Sequence, residues 1–510
     1  MTNPKTVVFG LDGAHFELIE PWLEAGHLPN INSVISTGVT ADLQSVLPPV
    51  TSPNWKAYLT GKNPGKIGIY WWENIDTNGQ RVYYPSERKN ANTEFWELIA
   101  EKKQAGIIGT PTTYPPRSGN GFVVAGAPDG KNNNYTSPSE LEKQLANQFN
   151  YQVTKSHRIN VDSDSAVDEI LDLIDQRFKA ANYLLSEYDA DFLQVTTFYL
   201  NSLHHFLWDS EHTLTGWQTI DKHLGNYLDE GHNIVLMSDH GSTQIETAFN
   251  VNSWLESEGY LTLDTTTSDL LHRLGITTDR LITLASTFGV QNVAERLVPE
   301  WILNYVPDDS GELTRESKTE NVDWEATTVI ASGQGPVYLT VDPSEPRYIQ
   351  LQTELKEKLE SVTDPAGSSI ANAVYRGKEI YDGAYIEEAP DLIIDQRPGV
   401  HITGGIGREE IFTDPSDDGW LAENKRSGLF AATGPDFSTG EIKDLSILDL
   451  APSFLHLHNC EVPKDMDGEV KRSIFDSNSE ARNRQIRYRG SEGQEAERKR
   501  IREATQTIDL

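Results

Sequence analysis

The sequence predicts an α/β protein built on a doubly wound, mostly parallel sheet, with helices on both faces and an inserted α+β cap. Two apolar runs stop at carboxylates: residues 7–11 lead into Asp12, and residues 233–238 lead into Asp239. Such a run is typical of a buried parallel strand that delivers its last side chain to the carboxyl edge of the sheet, where open α/β folds bind ligands. Strand-like and helix-like segments also alternate along the chain, as they do in doubly wound folds.

Further apolar runs and helical patterns support this alternation. The runs that predict strands lie at residues 105–109, 122–125, 192–195 and 429–432, and two helical patterns lie at residues 166–188 and 445–458. Strands that alternate with helices favour a mostly parallel sheet, because each crossover helix returns the chain to the same end of the sheet.

A change of pattern after residue 262 predicts an inserted cap, since 510 residues are too many for one simple core. We expect the catalytic α/β core over residues 1–262 and 396–475, the cap over residues 263–395, and a charged tail over residues 476–510. The cap pattern predicts helices over residues 270–306, a strand at residues 337–341 and a helix at residues 349–359. The charge of the tail predicts a solvated helix or a disordered segment.

The charge balance restricts the class of partner. The chain carries 77 acidic and 43 basic residues, for a formal net charge of −34. This balance argues against a nucleic acid polymer as a partner, because phosphate backbones favour clustered Lys and Arg. An acidic excess without low-complexity runs suits a halophilic protein in a saline cytoplasm.

Cysteine use and hydropathy also favour a cytoplasmic protein. The one cysteine, Cys460, excludes an internal disulfide framework. No run approaches the ~20 apolar residues of a membrane span. The N-terminal residues enter the first predicted strand directly, so we expect no signal peptide. The sequence does not indicate an oligomeric state.

A short helix is predicted to begin close to Thr51. Pro53 suits the first turn of a helix and Gly61 suits the position after its end, which predicts a helix over residues 53–60. Thr51 would then lie where free backbone N–H groups favour anions, and Asn54, about one turn on, could donate to a phosphate oxygen. The alternative is that Thr51 serves only as an N-cap.

Asp12, Thr51, Asp239 and His240 together predict a metal site with its own nucleophile. Each has a simpler interpretation, because Asp-Gly and Asp-His-Gly sequences are common in turns. Two carboxylates, an imidazole and a hydroxyl at one sheet edge can nevertheless bind a divalent cation, and a cation on the threonine oxygen would activate it as a nucleophile. The combination favours an enzyme over a binding module.

Nine motifs give the chain a resemblance to a known family. They lie at residues 9–13, 51–54, 60–65, 113–116, 205–208, 237–241, 374–376 with 380–381, 389–392 and 465–468. In these segments the chain resembles the type I phosphodiesterase/nucleotide pyrophosphatase branch of the alkaline phosphatase superfamily. The resemblance implies an alkaline-phosphatase-like fold, two divalent metals that are usually zinc, and a covalent phosphothreonine intermediate. It also implies that Asp12, Thr51, Asp239 and His240 hold one of the metals.

The sequence departs from the family pattern at the second metal. Asn201 and Asn424 stand where the pattern has an aspartate and a histidine, and only His205 of that trio is standard; Ile67 replaces a further histidine. Neutral amide oxygens bind zinc poorly. We therefore expect one tight site for Zn or Mn and a degenerate second site formed by His205, Asn201 and Asn424.

Three functions are compatible with this altered site. The first is a single-metal hydrolase that acts on a small phosphorylated substrate, either a phosphodiester or a nucleotide-like pyrophosphate. The second is a phosphotransferase, in which an acceptor hydroxyl replaces water. The third is a weakened relative that binds a phosphorylated ligand. Intact Asp12, Thr51, Asn54, Asp239 and His240 argue against a complete loss of function.

Other side chains could support the site, although each has a structural alternative. Lys425 and Arg426 could stabilise a leaving oxygen, but a solvated surface position is favoured for both. His15, His204 and His401 could replace missing ligands, but a structural or surface role is favoured for each. Trp71 and Trp72 could stack on a base or sugar, with a role in the core or in contact with the cap as the alternative.

Overall fold

The computed structural model describes residues 5–156, 164–228, 230–263, 319, 322–408, 410–414 and 419–490. The predicted helical stretch at residues 270–306 and residues 491–510 of the predicted tail lie outside the described residues. Among the residues that are described, no helix is both long enough and apolar enough to cross a membrane.

A ten-stranded sheet forms the centre of the protein. In spatial order its strands are β20 (Gly440–Glu441), β2 (Val39–Gln44), β19 (Ser427–Thr433), β9 (Asn233–Met237), β1 (Thr6–Leu11), β8 (Phe192–Thr197), β5 (Ala105–Ile108), β6 (Gly121–Val124) and β7 (Thr136–Ser137), and β21 (Leu445–Ser446) also pairs with β2. The five strands from β9 to β6 are parallel, whereas β19 runs antiparallel to both β9 and β2. The predicted α/β class with a mostly parallel sheet is confirmed.

Helices cover both faces of this sheet. Other helices belong to other parts of the fold. In chain order the α-helices of the described residues are α1 (Phe16–Glu24), α2 (Pro29–Thr37), α3 (Thr51–Thr60), α4 (Pro64–Ile67), α5 (Phe95–Ala100), α6 (Glu140–Phe149), α7 (Asp164–Tyr188), α8 (Tyr199–Leu207), α9 (Glu211–Leu228), α10 (Val251–Ser257), α11 (Pro346–Ser361), α12 (Gly377–Ile380), α13 (Leu450–Leu457) and α14 (Glu480–Asn483).

Strand β1 shows how the sequence builds two cores. Its side chains alternate, so Val7, Phe9 and Leu11 enter a core shared with α2, α7 and α9. Val8 points the other way and joins a core shared with α3, α5 and α13. Every residue of β1 is buried, which explains why its sequence is a continuous apolar run and does not alternate between apolar and polar residues.

A second, four-stranded antiparallel sheet lies within the predicted cap segment. Its order is β12 (Val329–Ala331), β13 (Pro336–Leu339), β15 (Leu392–Gln396) and β14 (Ala371–Arg376), with α11 packed against it. The same core includes Phe249 and Val251, and Val400 and Ile402, which lie outside the predicted cap bounds. The boundaries 263 and 395 therefore remain predictions.

The remaining strands form small sheets. They are β3 (Asn74–Asp76) with β4 (Arg81–Tyr83), β10 (Gly241–Gln244) with β18 (Ala422–Lys425), β11 (Thr247–Asn250) with β16 (Val400–Thr403) and β17 (Phe412–Thr413), and β22 (Val462–Pro463) with β23 (Tyr488–Arg489).

Two predicted helical segments differ in the structure. Helix α13 begins at Leu450 rather than at residue 445, because Ser446 and Asp449 form a capping box around a 3₁₀ turn at residues 447–449. The first part of the predicted tail, up to residue 490, packs on the core through α14 and β23, with Arg484 donating to the carbonyls of His456 and Leu457. A solvated helix or disorder was the wrong prediction for these residues.

Candidate active site

Two neighbouring strands deliver the acidic groups of the site to one edge of the central sheet. Strands β1 and β9 are parallel and in register, with Gly10 opposite Met237, so Asp12 and Asp239 emerge side by side. His240 follows Asp239 directly, and α3 brings Thr51 to the same edge.

The structure places the four predicted residues of the first metal site together. Nε2 of His240 lies 3.2 Å from Oδ2 of Asp239 and 3.8 Å from Oδ1 of Asp12. Oγ1 of Thr51 lies 3.2 Å from Nε2 of His240 and 3.5 Å from Oδ1 of Asp12. Asp12, Asp239 and His240 can each direct one ligand atom within 4.8 Å of the others, and all three are fully buried.

The electrostatics of this cluster favour a bound cation. Burial raises the pKa of Asp12 to about 8, although hydrogen bonds from Trp55, Thr51 and Asn201 oppose the shift. Burial and the charge of Asp12 raise the pKa of Asp239 well above its ordinary value. Oδ2 of Asp239 has no hydrogen-bond partner among the described residues. Two buried carboxylates with an unpaired oxygen and a nearby imidazole fit a divalent cation such as Zn²⁺ or Mn²⁺.

Neighbouring groups fix the orientation of these ligand atoms. Nε1 of Trp55 donates to Oδ2 of Asp12 at 2.8 Å, and the backbone N–H of Gly13 donates to Oδ1 of Asp239 at 3.3 Å. Nδ1 of His240 lies 3.0 Å from the carbonyl of Gly241 and donates to it. Nε2 therefore carries no hydrogen, and its lone pair is directed towards the site. Burial lowers the pKa of His240 to about 3, so its imidazole is neutral and able to bind a metal.

Thr51 is the first residue of α3 and is not its N-cap. Val50 takes the N-cap position with extended backbone, and no side chain caps the helix. Helix α3 starts two residues before the predicted start and ends at Thr60, where Gly61 adopts the left-handed conformation at φ 65°. The alternative in which Thr51 serves only as an N-cap is therefore wrong.

Asn54 holds the segment before Thr51. Its amide nitrogen lies 3.0 Å from the carbonyls of Pro48 and Val50 and 3.4 Å from that of Val46, and its oxygen accepts from the N–H of Val46 at 2.8 Å. These backbone bonds use both amide hydrogens. The predicted contact of Asn54 with a phosphate oxygen is corrected to a positioning role.

The predicted second-metal trio is arranged differently. Nδ2 of Asn201 donates to Oδ1 of Asn424 at 3.4 Å, so the two amides bond to each other. Nδ1 of His205 lies 2.7 Å from the carbonyl of Ala422 and donates to it, and the ring packs on Trp420 with centroids 4.2 Å apart. Among the described His, Cys, Asp and Glu side chains, Asp12, Asp239 and His240 are the one group of three that could hold a metal ion. The degenerate second site of His205, Asn201 and Asn424 therefore remains a prediction.

The other candidate histidines are engaged elsewhere. His15 caps α1 by accepting from the N–H of Glu17 at 3.2 Å. His204 stacks on Trp217, and His401 pairs with the buried carboxylate of Glu423. None of the three completes the cluster around Asp12.

Lys425 and Arg426 form ion pairs. The buried Lys425 donates to Glu17 at 2.7 Å, which contradicts the solvated surface position favoured for it. Arg426 is half-buried, and its guanidinium lies 3.6 Å from Asp395. Trp71 donates to Gln334, and Trp72 packs edge-on against Phe198, so both tryptophans have structural contacts.

Sequence reasoning missed three residues that shape the site. Trp55 orients Asp12, Ser242 bonds to Gly13 and Asn201, and Glu423 bonds to His401 and Gln334. Trp55 and Ser242 lie within or next to recognised motifs, which could have drawn attention to them. Glu423 has no such signal, because its burial depends on the pairing of β10 with β18.

The sheet and the buried group of Asp12, Asp239 and His240, which could hold a metal ion, are those of a hydrolase of the alkaline phosphatase superfamily. Residues 6–268 match the model of the family "Type I phosphodiesterase / nucleotide pyrophosphatase", which is more than half of the chain, and the chain therefore belongs to that family. Its members are phosphodiesterase- and pyrophosphatase-type hydrolases.

The chain was also compared with individual curated proteins and with solved structures. No curated protein matches the chain. Human ectonucleotide pyrophosphatase/phosphodiesterase 5 has a similar structure with a TM-score of 0.48 and 14% sequence identity, covering 93% of this chain and 100% of the human chain.

Proposed function

We propose that the protein hydrolyses a small phosphodiester or nucleotide-like pyrophosphate, with Thr51 as nucleophile and one tightly bound divalent cation, Zn²⁺ or Mn²⁺. The observation that carries the proposal is the position of Thr51 Oγ1, within 3.5 Å of both Asp12 and His240 at the start of α3. Family membership supports the class of reaction.

The residues divide the reaction between them. A cation held by Asp12, Asp239 and His240 would lower the pKa of the Thr51 hydroxyl and neutralise charge on the phosphate. The Thr51 oxygen attacks phosphorus and forms a new O–P bond, while the leaving oxygen departs with the electron pair of the bond that breaks. Water then cleaves the phosphothreonine. The free N–H groups at the start of α3 stabilise the phosphate oxygens.

The site requires an exact position for α3, and two side chains of the helix provide it. Asn54 fixes the preceding segment, as described above. The buried ammonium of Lys56 donates to Glu94 and, at 2.7 and 3.0 Å, to the carbonyls of Lys89 and Thr112. These contacts hold Thr51 in place relative to the metal cluster, which a direct in-line attack needs.

We also propose that the protein works in a saline cytoplasm. The net charge of −34 supports this, because dense salt screens repulsion that would otherwise oppose a compact fold.

Turnover and trapping together test the proposed function. Purified protein with added Zn²⁺ or Mn²⁺ should cleave a chromogenic phosphodiester, and mass spectrometry of acid-quenched protein should find one phosphoryl group on the peptide that contains Thr51. Added alcohols should not be phosphorylated in preference to water. Turnover without any phosphorylated Thr51 peptide would contradict the covalent route, and preferred alcohol products would identify a phosphotransferase.

A further inference from the structure

Arg177 of α7 is a buried arginine whose contacts are all uncharged. It is 4% exposed. Nη1 donates to the carbonyls of Gln152 at 2.6 Å and Leu173 at 3.4 Å, and Nη2 donates to the carbonyl of Val153 at 2.7 Å. Cζ lies over the ring of Tyr151, 4.7 Å from its centroid. Within the described part of the chain no carboxylate pairs with this guanidinium, and an unneutralised buried charge is costly.

Two other arginines that bind backbone carbonyls do have a carboxylate partner. Arg117 donates to Glu97 at 2.5 Å as well as to carbonyls. Arg484 donates to Glu480 at 3.2 Å in the same way. Arg177 lacks such a partner, and an anion from solution would supply the missing negative charge.

The guanidinium of Arg177 keeps two hydrogens for such an anion. It carries five N–H hydrogens, one on Nε and two on each terminal nitrogen. The three carbonyls take both hydrogens of Nη1 and one of Nη2, which leaves Nε–H and the second hydrogen of Nη2. For neither of these hydrogens does the described part of the chain provide an acceptor.

Arg177 lines a small cavity between α7 and the carboxyl edge of the central sheet. Gly109, which follows β5, and Phe198 and Tyr199, at the start of α8, line it as well. Nε lies on the side of Gly109, since a Cβ on that glycine would be 3.4 Å from Nε. The cavity has room for a single ligand of about the size of water, so a phosphate group is too large for it.

The start of α8 makes the same cavity more favourable for an anion. The helix has nine residues, and no side chain caps its N-terminus. The first N–H groups of a helix have no acceptor within the helix, and the helix dipole places partial positive charge there. Leu173 and Ile174 complete an apolar wall, and a wall of low polarity strengthens the attraction between opposite charges.

We propose that this cavity binds one chloride ion, held by the side chain of Arg177 and the N-terminus of α8. The ligand class is a monatomic halide, because the cavity needs a negative charge on a ligand only slightly larger than water. The ion would join α7 to α8, the helix that carries Asn201 and His205. It would stabilise the fold whether or not Thr51 attacks phosphorus, so the site is independent of the proposed function.

Thermal unfolding in a chloride series tests the site. Potassium chloride replaces potassium methanesulfonate stepwise at fixed pH, zinc and total salt, so that charge screening stays constant. The melting temperature of the wild type should rise with chloride and then saturate, as binding to one site requires. Arg177→Met should lose the saturable rise, whereas chloride that bound the zinc would stabilise this variant too.

Two further variants sharpen the comparison. Arg177→Lys keeps the positive charge but loses the planar pair of donors, and should weaken chloride binding about tenfold or more. Arg484→Met is the matched control, since it removes a carbonyl-bound arginine that has its own carboxylate partner, and it should keep the full saturable rise.

Bromide locates the site in the wild type without any substitution. Crystals of the wild-type protein grown in potassium bromide should show a peak of anomalous scattering beside the guanidinium of Arg177. Absence of that peak would overturn the proposal, even if Arg177→Met failed to fold. An equal saturable rise in folded Arg177→Met, or a wild-type rise that never saturates, would overturn it as well.

Discussion

At the scale of single residues, the site depends on charge that is buried and incompletely paired. Asp12 and Asp239 lie side by side with no exposure to solvent, and Oδ2 of Asp239 has no hydrogen-bond partner in the described part of the chain. Burial of two carboxylates is costly unless a cation neutralises them. A cation bound between the two carboxylates would lower this cost, and the neutral imidazole of His240 could serve as a further ligand.

Thr51→Ala should reduce turnover by about a thousandfold or more, because it removes the attacking oxygen. The free energy of unfolding should change by only about 1 kcal/mol, since the Thr51 hydroxyl caps no backbone group of α3. Thr60→Ala, at the other end of the same helix, is the matched control and should keep its activity. Near-wild-type turnover of a chromogenic phosphodiester by Thr51→Ala would rule out this nucleophile.

The metal-free protein should lose stability as pH rises from 6.5 to 8. Asp12 has a folded-state pKa of about 8 against an ordinary 3.8, so its protonated form is favoured in the folded protein. The stability that this proton contributes is lost as pH rises towards 8. The pKa of His240 is lowered from 6.5 to about 3, so the stability contributed by its neutral imidazole is lost only as pH falls below 6.5. Above pH 6.5 the effect of Asp12 remains, together with that of Asp239, whose raised pKa acts in the same direction, at up to about 1.4 kcal/mol per pH unit for each proton held.

Thermal unfolding of chelator-treated protein between pH 6.5 and 8 measures this effect. The zinc-loaded protein and the Asp12→Asn variant should show a flatter pH profile, because a cation or an amide replaces the proton. A melting temperature of the metal-free wild type that rises over this interval would show that Asp12 is ionised without a metal.

At the scale of elements, α3 connects the catalytic hydroxyl to the rest of the protein. All ten of its residues are buried, and its start is tied to the preceding segment through Asn54. A helix that is buried on every face is held in one position by its neighbours. The direction of the Thr51 hydroxyl is therefore fixed before substrate binds.

Asn54→Ala should lower both stability and turnover. It removes the bonds to Val46, Pro48 and Val50, so we expect a loss of about 2 kcal/mol in the free energy of unfolding, measured by denaturant titration. An Asn54 that acted only on the phosphate would give lower turnover with unchanged stability. That result would contradict the positioning role.

The ends of strands were predictable from the sequence, whereas the orientation of side chains was not. Apolar runs that stop at Asp12 and Asp239 locate the site, because parallel strands share one carboxyl edge. The position of the Asn201 side chain depends on its contacts with Ser242 and Asn424, which the pairing of β10 with β18 brings together. Such long-range contacts have no local pattern. The short strand and 3₁₀ turn before α13 were likewise hidden within a helical pattern, because a capping box rather than periodicity sets the start of the helix.

At the scale of the whole molecule, the dominant physical property is the acidic surface. A net charge of −34 on 510 residues creates self-repulsion that weakens as salt shortens the Debye length, which falls to about 3 Å in 1 M salt.

The melting temperature should therefore rise steeply from dilute to molar KCl. Differential scanning calorimetry at fixed pH and fixed zinc measures it, and an uncharged osmolyte provides the control for non-electrostatic effects of the solute. A flat or falling melting temperature across this range of KCl would remove the halophilic interpretation.

The count of tightly bound metal ions per chain tests the central claim most directly. Elemental analysis of zinc-equilibrated and desalted wild-type protein should find one equivalent, held by Asp12, Asp239 and His240. The double variant Asn201→Asp with Asn424→His replaces the amides by an anionic oxygen and an imidazole beside His205, and should hold two equivalents, with higher zinc-supported phosphodiesterase activity. Two tightly bound equivalents in the wild-type chain would contradict the single-metal site.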